Sequence, residues 1–257
     1  MRPGRAVLLG AALLVLAGIA APPGLRALWW WRESNPIRRG AVVAARAGCL
    51  ACHGPDGTRG LPDPNTRGEV PAWDGGVPMM YVDGPGEVRE YVLDGLSRRR
   101  AASESAAAER SRAAIRMPAY REVLRPGEVD DLVAYFMAVS RMEPLADSAA
   151  ARGRDLVGEH RCEACHGIAG AGGVANPGSL TGYVPGWLGD DYGELVESET
   201  ELREWILDGG IRRFRDDWLA RYFVNRQRLR MPAYARAISD ADVLAISSYI
   251  KLLREKR

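Results

Sequence analysis

The pentad Cys-x-x-Cys-His is written twice, as CLACH at Cys49–His53 and as CEACH at Cys162–His166. The two copies use every cysteine of the chain and two of its three histidines. A motif that recurs at long range with no cysteine left over points to duplication, and the flanking sequence agrees. Arg39-Gly40 matches Arg152-Gly153 at the same offset of 113 residues. One inserted residue then moves the offset to 114: VPAW (Val70–Trp73) meets VPGW (Val184–Trp187), and YVLDG (Tyr91–Gly95) meets WILDG (Trp205–Gly209). At that offset RMPAY (Arg116–Tyr120) recurs unchanged at Arg230–Tyr234, and Tyr135 meets Tyr249. The 257 residues divide accordingly into an N-terminal segment 1–34, a first unit 35–141, a linker 142–146 and a second unit 147–257.

Both units read as all-α. Ile37 to Ala47 and Ala151 to Glu159 lead into the cysteine motifs as helices, and Glu87 to Leu93 and Thr200 to Leu207 carry apolar residues at three- and four-residue spacing until Asp-Gly stops them. The last helix of each unit has the clearest stripe: Val129, Leu132, Val133 and Phe136 over Glu128 to Ser140, and Val243, Ile246, Ile250 and Leu253 over Asp242 to Leu253. Pro55 to Pro85 and Gly167 to Gly193 are Gly/Pro-rich, too irregular for sheet and too long for ordinary loops in a bundle. Something besides side-chain packing has to organise them.

In Cys-x-x-Cys-His the two cysteines lie about one helical turn apart, so both sulfurs reach the vinyl groups along one haem edge and the next imidazole comes beneath the iron. Two other readings use the same residues. Paired cysteines in an exported chain form disulfides or redox dithiols, which leaves the histidine of each copy without a role. Zinc wants ligand pairs close in sequence, and these stand 113 residues apart. Under the haem reading the covalent attachment residues are Cys49, Cys52, Cys162 and Cys165, and the proximal ligands are His53 and His166. A sixth ligand has few sources. His160, the remaining histidine, sits two residues before Cys162 on the proximal side, and bis-histidine ligation of both irons is arithmetically excluded within one chain.

Methionine is left, and Met231 is the single one that follows the second motif. It stands 65 residues after His166, and its repeat mate Met117 stands 64 after His53. Pro118 and Pro232 fix φ and remove a donor directly after each, which suits a loop rather than a helix interior. Met79 and Met80 compete with Met117 but have no counterpart in the second unit.

These residues resemble the class I c-type cytochromes, present twice in tandem over about 220 of the 257 residues. The resemblance extends to a Met-Pro loop between the "LDG" helix and the last helix, where such cytochromes carry their sixth ligand. It departs from them in the long Arg-rich stretches Leu96 to Arg116 and Gly210 to Arg230. Those stretches read either as solvated helical faces or as a docking surface for an acidic redox partner, with Arg116 and Arg230 reaching haem propionates. Trp73 and Trp187 are expected at a haem edge or propionate, or as plain core, and Tyr120 and Tyr234 as buttresses of the ligand loop.

His plus a neutral thioether leaves no free position on iron and favours the ferrous state, so the expected function is electron transfer through two haem c groups rather than catalysis. Expected partners are a donor dehydrogenase or quinol-oxidising complex and a terminal oxidase or reductase. The alternatives are a haem enzyme, such as a dihaem peroxidase or a thiosulfate-oxidising cytochrome, and a subunit of a larger respiratory complex. The peroxidase needs an iron that opens to peroxide, and the thiosulfate-oxidising cytochrome usually a cysteine ligand, for which the chain has no spare.

Ala6 to Ala21 is an uncharged apolar run preceded by Arg2 and Arg5, the layout of an export signal or an N-terminal anchor. Cleavage after Ala20 would release a soluble periplasmic protein. The LRALWWW run at Leu25–Trp31 carries apolar character onward and suits a headgroup zone, so the adopted expectation is an anchor on the periplasmic side of the cytoplasmic membrane. The formal net charge of +2 gives no reason to expect nucleic acid.

Overall fold

Helix α1 (Pro36–Arg46) begins where Asn35 caps it: the Asn35 side-chain oxygen accepts from Ile37 N at 3.0 Å, and Pro36 occupies the first helical position, where a missing N–H costs nothing. Its repeat mate α7 (Ser148–Glu159) is capped in the same way, Asp147 accepting from Ala149 N at 2.8 Å. Each leads into a short helix bearing the cysteine motif, α2 (Cys49–His53) and α8 (Glu163–His166). Each also crosses the last helix of its half, α6 (Pro126–Ser140) or α13 (Asp240–Glu255). The computed structural model describes residues 35–65, 68–142 and 145–255; the segment 1–34, with its expected apolar helix, lies outside them.

The two crossings explain the repeated Arg-Gly. A Cβ on Gly40 would fall 2.6 Å from the Asp131 carbonyl carbon and 2.7 Å from Tyr135 Cβ; one on Gly153 would fall 2.5 Å from the Ala245 carbonyl carbon and 2.9 Å from Ile246 N. Only glycine lets the backbones approach this closely. Ile37, Val43 and Ala44 pack there with Val129, Leu132 and Tyr135, and Ala150, Leu156 and Val157 pack with Val243, Ile246 and Tyr249. Arg39 closes the first crossing with a bidentate pair to Asp131 at 2.9 and 2.7 Å.

The middle of each half follows one plan. Helices α3 (Pro85–Asp94) and α10 (Glu199–Asp208) stop at Gly95 and Gly209, whose φ of 72° and 70° is the left-handed conformation that ends helices cheaply in glycine. The Arg-rich stretches are helical, as α4 (Arg98–Ala101) with α5 (Glu104–Arg112), and α11 (Arg212–Asp216) with α12 (Trp218–Arg226). A further short helix of the second half, α9, spans Asp191–Leu195.

The inserted residue can be placed. Asp63 N donates to Gly68 O, whereas Asn176 N donates to Gly182 O, so one loop closes over five positions and its counterpart over six. The isolated bridges Pro62↔Glu69 and Ala175↔Tyr183 flank the same loops, and among the described residues they are the only β pairing. The Gly/Pro-rich stretches are held by main-chain hydrogen bonds to fixed points, with Trp73 N on Gly57 O at 2.6 Å and Trp187 N on Gly170 O at 2.8 Å.

From Asn35 onward the chain forms one compact unit. One large cluster takes in buried residues of both halves, a small second one gathers Val82, Val88 and Val133, and polar ties join the halves: Asn35 Nδ2 donates to Leu253 O at 3.1 Å, and Arg141 pairs with Glu163 at 2.6 Å. Among the described residues no helix is long and apolar enough to cross a membrane.

Candidate functional site

Each cysteine motif occupies about one turn of helix ended by a glycine with φ of 77°, Gly54 or Gly167. That turn brings both cysteines and the histidine to one region, and neither cysteine pair closes into a disulfide. Among the described residues no cluster of three or more His, Cys, Asp or Glu is placed to hold a metal ion.

The histidines are oriented identically. His53 Nδ1 lies 2.8 Å from Pro71 O, and His166 Nδ1 lies 2.8 Å from Pro185 O. A carbonyl can only accept, so Nδ1 carries the proton and Nε2 is left as the free lone pair, the tautomer a metal ligand requires. Burial holds both imidazoles below their ordinary pKa, although the carbonyl contact pulls the other way, so both are neutral at pH 7. Burial also pushes the Cys49 thiol up and the Cys162 thiol up to about 11.

Behind each histidine stands the repeated tryptophan. The rings of His53 and Trp73 are 4.9 Å apart and those of His166 and Trp187 are 5.6 Å apart; each indole then meets a buried tyrosine edge-on, Tyr135 at 6.0 Å and Tyr249 at 6.4 Å. Trp73 and Trp187 thus back the imidazoles from the core side.

In the first half a cavity of about 480 Å³ gathers the predicted residues: Cys49, Cys52 and His53 line it together with Trp73, Met117 and Tyr120. Its volume lies within the roughly 300–1,000 Å³ usual for cofactor sites. The donor set therefore fits a haem c: two thiols and an imidazole from one short helix, and a thioether from the RMPAY loop. Met79 and Met80 are 60% and 69% exposed; Met80 touches the cavity rim, while Met117 packs on the core. In the second half Cys162, Met231 and Tyr234 pack on the common core beside Trp187.

The methionine loop is held in place by residues that sequence reasoning did not single out. Asp63, 7% exposed, accepts from Ala114 N at 3.2 Å and from Ile115 N at 3.0 Å, just ahead of Met117. Its repeat position is Asn176, 2% exposed, which accepts from Leu229 N at 2.8 Å and donates to Leu229 O at 3.0 Å, two residues ahead of Met231. On the other side the loop rests on the helix-stop glycines, where a Cβ on Gly209 would meet Met231 O at 2.5 Å and one on Gly95 would meet Met117 O. Tyr120 N and Tyr234 N donate to Val92 O and Ile206 O, both at 3.0 Å, closing the loop against α3 and α10.

The arginines divide into two groups. Arg98 and Arg99 pair with Glu90 and Glu87, as Arg212 and Arg213 pair with Glu204 and Glu201. Arg116 and Arg230 donate to carbonyls of their own stretch, Ser111 O at 3.1 Å and Asn225 O at 2.6 Å; Arg116 also borders the cavity. His160 is half-buried, with its ring 5.5 Å from that of Tyr234.

One difference between the halves lies inside the motif. Where the first half has Leu50, the second has Glu163, buried, accepting from Ala169 N at 2.9 Å and from Arg141 at 2.6 Å.

Residues 150–254 match the cytochrome c family model, so one cytochrome c domain lies there, with covalently bound haem c and haem-based electron transfer as its general attributes. A search of curated proteins returned no match.

Proposed function

We propose that the chain is a dihaem c-type cytochrome in which the first half, 35–141, is a second domain of the same kind as 147–257. Each half holds one His/Met-ligated haem c, and the protein relays single electrons. One observation carries the reading: the same supports recur in both halves, from the 2.8 Å histidine–carbonyl contact to the loop clamp at Asp63 or Asn176.

A haem c held in this way supplies a one-electron couple at its iron, with a neutral thioether raising the potential relative to bis-His ligation. The chain's own residues do the rest. Cys49, Cys52, Cys162 and Cys165 give thioether attachment; Pro71 and Pro185 fix the imidazole tautomer; Trp73 and Trp187 keep water from the proximal side. The clamps hold Met117 and Met231 in a loop of set geometry, so that little reorganises when charge changes. In partner terms the protein accepts electrons from a dehydrogenase or quinol-oxidising complex and delivers them to a terminal oxidase or reductase, anchored through segment 1–34 on the periplasmic side of the cytoplasmic membrane.

The test is a reduced-minus-oxidised spectrum with carbon monoxide titration on the wild type, Met117→Ala and Met231→Ala. The proposal expects a wild type closed to carbon monoxide and one site opened by each substitution. Avid binding by the wild type at one site would favour the enzyme alternative instead.

A further inference from the structure

Residues 96–116 and 210–230 correspond position for position in the repeat, yet α5 and α12 present different surfaces. On α12 Trp218 is 72% exposed, with Leu219 and Tyr222 also open to solvent. Their first-half counterparts are Glu104, Ser105 and Ala108, none a large apolar side chain. Around this apolar centre Arg226 lies over the Tyr222 ring at 5.2 Å, and Arg215 and Arg221 are exposed, their bonds running to the main-chain oxygens of Gly210 and Arg215 rather than to carboxylates. Residues 215–230 carry five arginines against two aspartates; residues 101–116 carry three arginines against two glutamates. The face continues into the ligand loop: α12 ends at Arg226, Arg228 N donates to Pro177 O, and Leu229 is held by Asn176 two residues before Met231.

We propose that the α12 face is the docking surface for an acidic single-electron redox protein, which makes the second half the port for exchange with that partner; this rests on the dihaem reading above. An aromatic centre ringed by arginine is the composition that dominates binding energy at protein interfaces. The excess positive charge steers an acidic surface to it. A lipid surface would take the same residue types, but adjacency to the methionine loop favours a redox protein, since electrons must pass close to that loop. In each encounter the partner loses one electron and one ferric site becomes ferrous, with no proton or bond exchanged.

The test uses the haem-loaded full chain and, as probe, a reduced acidic plant-type [2Fe–2S] ferredoxin, a stronger reductant than a His/Met haem. Stopped-flow reduction at low ionic strength is compared for the wild type, the triple variant Trp218→Ser/Arg221→Glu/Arg226→Glu, and the matched first-half change Arg112→Glu. The triple variant is expected to lower the second-order rate constant about tenfold or more and to flatten its salt dependence, while Arg112→Glu changes it less than about twofold. Equal effects from the two halves, or none, overturn the proposal. So does a triple variant that loses binding to phosphatidylglycerol vesicles while its ferredoxin rate is unchanged, which would assign the face to membrane. A haem spectrum missing from the wild type would sink the dihaem reading itself; a normal spectrum with an insensitive rate sinks the docking surface alone.

Discussion

The same substitution, made five residues apart on α7, is predicted to act with opposite sign. Gly153→Ala places a methyl group 2.5 Å from the Ala245 carbonyl carbon and 2.9 Å from Ile246 N, where ordinary contact begins near 3.4 Å. Both obstacles are backbone, so α13 must retreat by about 1 Å, and overpacking of this kind costs about 1–3 kcal/mol. Alanine's helix preference of about 0.5–1 kcal/mol offsets part of that. A net loss of about 1–2 kcal/mol corresponds to a fall of roughly 2–8 °C in Tm for a unit of this size. At Gly158 the nearest atom is Arg141 Nη1 at 3.3 Å, the far end of a flexible side chain. Gly158→Ala therefore keeps the helix preference and raises stability by about 0.5–1 kcal/mol. Urea and thermal unfolding of the haem-loaded protein, followed by far-ultraviolet circular dichroism, measure both. An unchanged midpoint for Gly153→Ala, or one shifted the same way as for Gly158→Ala, would refute the close-crossing argument.

Three further outcomes follow from the same geometry. Asn176→Ala leaves Leu229 N without its acceptor, costs about 1–3 kcal/mol, and frees the Met231 loop, so reduced protein should gain carbon monoxide binding at one site in a difference spectrum. Glu163→Leu, which copies the first half's Leu50, strands Arg141 and Ala169 N; the partly exposed Arg141 limits the loss to about 1–3 kcal/mol, read as a lower urea midpoint. The hydrogen bond from Arg213 holds the Glu201 carboxyl below its ordinary 4.5 despite the opposing effect of burial. The unfolded chain therefore takes up that proton at a higher pH than the folded one, and the stability the pair contributes is present above pH 4.5 and declines on acidification below it. Glu201→Gln should flatten the acid limb of a stability profile measured from pH 6 to 3.

The parts of this architecture that were legible in the sequence are those written in side-chain type or spacing. The stripe over α6 marked Val129, Leu132 and Val133, all buried, and the Asp-Gly stops fell at the residues that end α3 and α10. Helix starts were less visible: capping and Pro at the first position moved α3 to Pro85 and α6 to Pro126, ahead of the periodic residues. The proximal supports were hidden for a different reason. Pro71 and Pro185 act through main-chain carbonyls, which no side-chain pattern records. Asp63 and Asn176 differ in type and sit in loops of unequal length, so the repeat aligned them only on one side of the insertion. The tie between Glu163 and Arg141 depends on how the halves pack, which the repeat alone does not encode.

The central claim is duplication of the haem site within one chain. Intact mass spectrometry of the purified protein, combined with haem quantitation by pyridine haemochrome, tests it most directly. Two covalently attached haems per polypeptide are predicted, falling to one when Cys49 and Cys52 are both replaced by serine. A single haem on the wild-type chain, or a colourless protein, would contradict it.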